Sequence, residues 1–222
     1  MKGFVLHLKR RHRLPSHRAD SKITGISNQI RRYSVAVFFA FVFAGGMLMG
    51  TLSAKGADES TLKRLDFLFA TNLESRLEQS VLSTFSASFA SDFLFLVFVF
   101  LCGLAPWGIG FVFIAPAFKG FGTGLSAGYL FITHGFKGVG FYLLVILGGT
   151  FLFSFALIIQ CIQAHLLSAK IAKCVFTSKN PDISVNLLVK TYLYRSFCAL
   201  VMTTGAALLD MLLWTAFSGL FF

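Results

Sequence analysis

The residues that could perform chemistry in this sequence are concentrated in a glycine-rich stretch, residues 118–138. Within it, the pentapeptide Gly124–Gly128 matches the G-x-S-x-G pattern around the nucleophile of serine hydrolases, with Ser126 as the nucleophile. That pattern needs a strand, a sharp turn and a helix, whereas here it lies in an apolar run with helical character. The candidate bases are His134, about 12 Å away along one helix, and His165, expected at the opposite membrane face. We therefore expect no enzymatic activity and keep an intramembrane hydrolase as an alternative.

A metal site and a phosphate loop are the other chemistries that the residue types suggest. Cys161 and His165 are four residues apart and would share a helix face, with Cys174 as a third ligand, but no fourth ligand stands at a recognisable spacing. Lys119 and Lys137 are each followed by glycine, and the spacing of a phosphate-binding loop is absent. The sequence therefore predicts neither a metal nor a cofactor.

Asp210 is an acid in the middle of an apolar segment. A carboxyl group at that depth costs several kcal/mol unless it is paired or protonated, and it normally faces the interior of a bundle. One interpretation is structural, with Asp210 holding helices together through Thr203, Thr204 or Gln160. The other is an ion or proton site, which would make the chain a small membrane transporter or permease-like component.

The glycines of the central stretch also indicate helix packing. Gly120, Gly124 and Gly128 are spaced by four residues, so they form one smooth stripe on a helix. Gly46 and Gly50 form a second pair of the same spacing. Such small residues let two membrane helices approach closely and gain van der Waals contact. We therefore predict that these five glycines are helix-packing residues.

The composition indicates the setting in which these residues are held. Of the 222 residues, 56% are hydrophobic and 13% are charged, which is about half the charged fraction of a soluble domain. We predict an all-α, polytopic membrane helical bundle. Residues 1–33 form a basic cytoplasmic segment with nine Lys and Arg against one acid, and residues 34–222 form a single membrane domain.

The net charge of +11 is interpreted through its placement. Basic residues predominate in residues 1–33 and again in a loop at 163–196, whereas acids outnumber them in residues 53–92. This distribution marks 1–33 and 163–196 as cytoplasmic. We expect these charges to contact the lipid bilayer, through anionic lipids at its cytoplasmic face, and not nucleic acid.

The apolar runs and the charge distribution together predict about five spans, with the N-terminus inside and the C-terminus outside. A kink or break is expected near Pro106, Lys119 at the inner interface, and His134 and Lys137 outside. The short apolar part 120–133 is expected to cross, since a re-entrant hairpin would place the basic loop outside. The predicted spans are residues 34–52, 93–118, 120–133, 139–162 and 197–222.

An amphipathic helix is predicted outside the membrane, over residues 60–82. Apolar residues recur there every three or four positions, and charged ones, among them Glu74, Arg76 and Glu78, lie between them. Such a helix either lies on the bilayer surface or presents a docking face to an external partner.

Four runs of this sequence form a recognisable combination: Gly103–Gly108, Phe118–Gly128, His134–Gly138 and Leu143–Leu147. Together they resemble the stage II sporulation protein M family. In that family a Phe-Lys-Gly-Phe-x-x-Gly stretch is followed by a Gly-x-Lys-Gly stretch and an apolar span. Members often carry a proline after that apolar span, where this chain has Gly148 and Gly149.

The resemblance implies a role as well as a topology. It implies a membrane scaffold for two peptidoglycan-degrading partners, stage II sporulation proteins D and P, during engulfment of the forespore. The partners would perform the chemistry outside the membrane. The scaffold is therefore our leading hypothesis, beside the transporter based on Asp210 and the hydrolase based on Ser126.

Overall fold

The computed structural model describes residues 17–56, 81–176 and 185–221. The chain divides into two compact units, Met1–Ser34 and Val35–Phe222, and the contacts given below lie within the second. The described residues contain helices and no strand. The elements are α1 His17–Gly56, α2 Val81–Leu104, α3 Gly108–Phe111, α4 Ile114–Phe141, a π-helix Tyr142–Ile146, α5 Leu147–Phe176 and α6 Val185–Phe221.

Four helical stretches of the described residues are long and apolar enough to cross a membrane. The described part of the chain is thus helical and has the elements of a membrane helical bundle, as the composition predicts. The third stretch has 69 residues and would be about 100 Å long as one straight helix, against a hydrocarbon core of about 30 Å. The stretches are Tyr33–Gly56, Leu82–Leu104, Gly108–Phe176 and Leu187–Phe217.

The long stretch folds back on itself at Gly135, and we call residues 108–176 the hairpin. Gly135 has φ 57° and ψ −135°, a conformation that side chains with a Cβ rarely adopt. Just beyond it, a Cβ added to Gly138 would meet the carbonyl oxygen of Leu130. Residues eight apart touch in this way only because the chain reverses direction between them.

The two arms of the hairpin, residues 108–134 and 136–176, run antiparallel. The Tyr142 hydroxyl donates to the carbonyl of Thr123 at 3.3 Å. At the far end, the Ser168 hydroxyl donates to the carbonyl of Ala105, just before the hairpin, at 2.7 Å. The bond nearer to Gly135 joins residues 19 apart and the farther one joins residues 63 apart, as expected for two antiparallel helices connected at Gly135.

A tight turn separates α2 from the hairpin. The amide of Gly108 donates to the carbonyl of Ala105 at 3.1 Å, and a Cβ on Gly108 would meet the carbonyl of Cys102. The break therefore lies where the sequence predicts one, near Pro106. The span predicted over 93–118 is therefore wrong as one element, because the turn lies inside it. Its first part belongs to α2, which begins at Val81, and its second part belongs to the hairpin.

The helices α2, α5 and α6 pack together around the main apolar core, whose members are almost without solvent exposure. α6 runs antiparallel to α2 and to α5, since Ser88 and Phe100 of α2 contact Asp210 and Tyr192 of α6. α1 runs parallel to the first arm of the hairpin. The core includes Phe39, Val99, Val112, Phe153, Leu157, Cys161, Ala164 and Tyr192.

Two predicted segments end differently in the structure or lie outside it. The basic loop predicted over 163–196 is helical up to Phe176 and again from Val185, so only its middle separates the helices α5 and α6. The last span, predicted over 197–222, is part of the longer α6. The amphipathic helix predicted over 60–82 lies almost entirely outside the described residues.

Candidate polar site inside the bundle

An ion pair joins α2 to the first arm of the hairpin. The Lys119 ammonium donates to the Asp92 carboxylate at 2.6 Å, and the two side chains are 20% and 12% exposed. Asp92 lies midway along α2, and Lys119 lies well away from both ends of its arm. This differs from the position at the inner interface that the sequence predicts for Lys119. The difference arises because the apolar helical stretch begins at Gly108 and not after Lys119.

Two aromatic rings complete the surroundings of the lysine. Its Nζ atom lies 4.8 Å from the ring centroid of Phe153 on α5 and 5.6 Å from that of Phe95 on α2. Both distances are within the range of a cation–π attraction. The ammonium is thus held by three groups on two helices, so its position depends on how α2, α4 and α5 pack.

Asp210 forms the second polar contact of α2. The Ser88 hydroxyl donates to its carboxylate at 2.8 Å. Ser88 and Asp92 are four residues apart on α2, so one helix carries a partner of Asp210 and the partner of Lys119. Gly149 of α5 allows close approach, because a Cβ there would lie 2.8 Å from the Cβ of Asp210.

The residues that the sequence offers as partners of Asp210 make other hydrogen bonds. The hydroxyls of Thr203 and Thr204 donate to backbone carbonyls one turn earlier in α6, each at 3.0 Å. Gln160 is fully buried, and its amide donates to Ser196 at 2.8 Å and to the Tyr192 hydroxyl at 3.2 Å.

Tyr192 extends this second network to α2. Its hydroxyl donates to the carbonyl of Phe100 at 3.0 Å, and its ring stacks on the Phe100 ring. The cluster of Gln160, Tyr192 and Ser196 therefore ties α2, α5 and α6 together at the end of the bundle away from Gly135. Gln160 acts as a structural polar residue of the core in this arrangement.

A cavity of about 100 Å³ lies beside the ion pair, between α2 and the two arms of the hairpin. Its wall combines the Lys119 side chain with four aliphatic hydroxyls, a phenol and two phenylalanine rings. The lining residues are Ser91, Phe95, Phe118, Lys119, Gly122, Thr123, Ser126, Tyr142, Ile146 and Thr150.

Ser126 and the two histidines lie in different surroundings. Ser126 is buried, and its hydroxyl donates to the carbonyl of Gly122 one turn earlier, at 3.0 Å. His134 is exposed beside the turn of the hairpin, with its Nδ1 2.8 Å from the hydroxyl of Thr133. His165 packs against aromatic rings of the core. The glycine-flanked serine is thus part of the cavity wall.

The two cysteines of the suggested metal site differ in their solvent exposure. Cys161 is buried, with its sulfur 3.9 Å from the carbonyl oxygen of Val112, whereas Cys174 is exposed. Among the residues that the structure describes, no three His, Cys, Asp or Glu side chains form a group that could hold a metal ion.

The five glycines of the predicted packing stripes all lie in one contact between α1 and α4. A Cβ added to any of them would collide with the facing helix, mostly with its backbone carbonyls, so the two backbones touch. A hydrogen bond from Thr51 of α1 to the carbonyl of Gly124, at 3.1 Å, adds to this contact. The facing pairs are Gly46 with Ala117, Gly50 with Phe121, Gly120 with Phe43, Gly124 with Met47, and Gly128 with Ala54.

The remaining candidate residues are peripheral or outside the description. Lys137 is exposed just beyond the turn of the hairpin. Glu74, Arg76 and Glu78 lie outside the described residues. Sequence reasoning missed Asp92 and Ser88, which bond Lys119 and Asp210. The signal for Asp92 is an acid preceded by thirteen uncharged residues and followed by a long apolar run, a pattern that also fits a helix interior.

No family model matches this sequence, and neither the curated proteins nor the solved structures contain a match to it.

Proposed function

We propose that this chain is a non-enzymatic scaffold of the cell membrane. It would recruit or organise peptidoglycan-degrading partners, similar to stage II sporulation proteins D and P, during endospore engulfment or a related remodelling of the cell envelope. The proposal combines the resemblance of four sequence runs to the stage II sporulation protein M family with the structural use of those runs.

The observation that carries the proposal is that the motif residues serve packing. Lys119 of the Phe-Lys-Gly-Phe run bonds Asp92, and Gly120 and Gly124 of the same run contact α1. Gly108 forms the tight turn before the hairpin, and Gly135 forms its reversal. Because these motif residues stabilise helix contacts and turns, they support the proposal of a structural, scaffolding role.

The pairing of the charged groups supports the same interpretation. The ammonium of Lys119 bonds a carboxylate of the same bundle, and the carboxylate of Asp210 accepts a hydrogen bond from Ser88. Buried groups engaged in this way stabilise one arrangement of the helices. They therefore support a rigid platform on which external partners could be organised.

We further propose five crossings, with the N-terminus inside and the C-terminus outside. Two crossings would come from the arms of the hairpin and three from α1, α2 and α6. The directions of the helices are consistent with this count, because α1 is parallel to the first arm, which is antiparallel to α2 and to the second arm. The basic segment 1–33 then lies at the cytoplasmic face, where anionic lipids attract it.

The test is crosslinking in the native membrane of an endospore former, followed by identification of the captured proteins. We expect a peptidoglycan hydrolase among them. A triple charge reversal at Glu74, Arg76 and Glu78 should weaken its capture while the variant still inserts into the membrane. A matched control is Lys137→Glu, which changes one charge on the exposed turn of the hairpin.

The outcomes separate the function from the docking surface. Unchanged capture by the triple variant would reject residues 60–82 as the docking face. A captured set without any hydrolase would overturn the scaffold itself.

A small transporter is the second candidate, and Asp210 together with the Asp92–Lys119 pair favours it. Carriers hold ionisable groups along a path through the bundle, and here α2 contacts both groups. This function requires that Asp210→Asn abolish a flux in proteoliposomes without unfolding the protein. Full flux in that variant, or none in the parent protein for any ion tested, would count against it.

A further inference from the structure

Three of the hydroxyls that line the cavity beside Lys119, those of Thr123, Ser126 and Tyr142, donate their protons to backbone carbonyls. Thr123 donates to the carbonyl of Lys119 at 2.7 Å, and Tyr142 donates to the carbonyl of Thr123 at 3.3 Å. A hydroxyl has one proton and two lone pairs, so these two groups turn only acceptor capacity toward the cavity. The site therefore suits a ligand that donates hydrogen bonds.

The charges beside the cavity narrow the ligand further. The Lys119 ammonium repels a second cation from the space next to it, and the lone pairs of Thr123 and Tyr142 repel an anion. Because Lys119 is paired with Asp92, the ion pair adds no net charge that a ligand would have to neutralise. A small neutral molecule that both donates and accepts hydrogen bonds fits this environment.

The size of the cavity agrees with the same class of ligand. Its volume of about 100 Å³ is well above the roughly 10–15 Å³ that one water molecule requires. Polar cavities of this kind hold ordered water, whereas cavities with purely apolar walls remain dry.

We propose that this cavity is a binding site for a cluster of water molecules inside the bundle. The waters donate to Thr123 and Tyr142 and accept from the ammonium of Lys119, so the ion pair is hydrated although it lies midway along its helices. This inference goes beyond the scaffold function and holds whether or not a partner is captured.

The experiment measures transfer of magnetisation from water to tyrosine side chains, by solid-state NMR of the full chain in lipid bilayers. The tyrosines carry 13C at Cζ, and the Y142F and Y192F variants assign two of their signals. Tyr192 is the matched control: it is buried, like Tyr142, and its hydroxyl both accepts from Gln160 and donates to Phe100. The two tyrosines are also at similar distances from a helix end, since Tyr142 is seven residues past Gly135 and Tyr192 is seven residues past Val185.

We expect the Tyr142 signal to build up severalfold faster than that of Tyr192. The variant Ser91→Leu, which fills the cavity with carbon, should slow Tyr142 and leave Tyr192 unchanged. If that variant does not fold, Thr123→Val removes one acceptor at almost constant volume and should slow Tyr142 as well. Equal, slow build-up at both tyrosines of the parent protein would overturn the proposal.

Discussion

Asp92 and Lys119 each make the other tolerable inside the bundle. A single charged side chain at the centre of a membrane helix costs about 2.5–3.5 kcal/mol on insertion scales. The pair at 2.6 Å removes the net charge, and the rings of Phe95 and Phe153 offer the ammonium further attraction. Removing either partner would leave the other as an uncompensated charge between apolar helices.

We therefore predict that Lys119→Met and Asp92→Leu each destabilise the bundle by about 3–5 kcal/mol, the usual cost of breaking a buried pair. The double variant should recover most of this loss, because no charge is left without a partner. The measurement is the free energy of unfolding in detergent micelles at increasing denaturant. Lys137→Met, on the exposed turn, is the control with little expected effect.

The two single variants and the double variant form a cycle that tests the pairing itself. A double variant that is as unstable as the sum of the singles would show that Asp92 and Lys119 act independently.

The acids of the bundle illustrate how far single residues could be predicted. Asp210 stands inside an unbroken apolar run, so its position in the interior followed from hydropathy alone. Asp92 precedes such a run, and the predicted span was therefore started at residue 93, just after it. The nine residues before Asp92, 83–91, are small, polar or aromatic, and only tertiary packing decides that a helix continues through them.

At the scale of the elements, the contact between α1 and α4 depends on glycines from both helices. Gly46 and Gly50 of α1 face the backbone around Ala117 and Phe121, so α1 cannot gain a side chain at these positions without moving away from α4. In a bilayer, where lipid is as apolar as leucine, this close packing is a main source of helix association.

We predict that Gly50→Leu loosens α1 from the bundle, whereas Gly45→Leu does not. The added side chain at residue 50 would meet the carbonyl of Phe121 and the amide of Leu125, while residue 45 has open space around it. Overpacking of this kind costs about 1–3 kcal/mol or more. Limited proteolysis and the free energy of unfolding would report the difference, and equal stability of the two variants would contradict the contact.

The reversal at Gly135 leads to a second prediction for the elements. Gly135→Ala forces a Cβ into φ 57°, so it should destabilise the hairpin by about 1–3 kcal/mol although there is space around it. Gly110→Ala is the matched control in the same hairpin, also with open space but without a positive φ. Thermal unfolding in micelles measures both, and a Gly135→Ala variant as stable as the control would rule out the strained turn.

The helix types and the packing glycines could be predicted from the sequence, but several boundaries could not. Pro116 does not interrupt α4, because it lies in the first turn of that helix, where a missing amide proton costs little. With the turn placed at Ala105, residues 108–119 move into the next element, and the short segment 120–133 becomes part of a full-length arm. The apolar sequence on both sides of Pro106 carries no polar mark of this division.

At the scale of the whole molecule, the contacts fix the directions of the helices relative to one another. The first arm of the hairpin is parallel to α1 and antiparallel to α2 and to the second arm, and α6 is antiparallel to both α2 and the second arm. Helices that alternate in this way along the chain are what successive crossings of a bilayer would produce.

The directions predict the sides of the membrane on which the turns lie. We expect a reporter fused after Phe136 to lie outside and one fused after Cys174 to lie inside, because the two sites are at opposite ends of the second arm. Alkaline phosphatase, active only outside, and a fluorescent protein, fluorescent only inside, should therefore give opposite results at each site. The positive-inside rule sets the absolute orientation, since basic residues predominate in 1–33 and 163–196.

If both fusions reported the same side, the hairpin would not cross the bilayer and the five-span topology would be wrong. If they reported opposite sides with inverted sign, the packing would stand and the placement of the basic segments at the cytoplasmic face would fall.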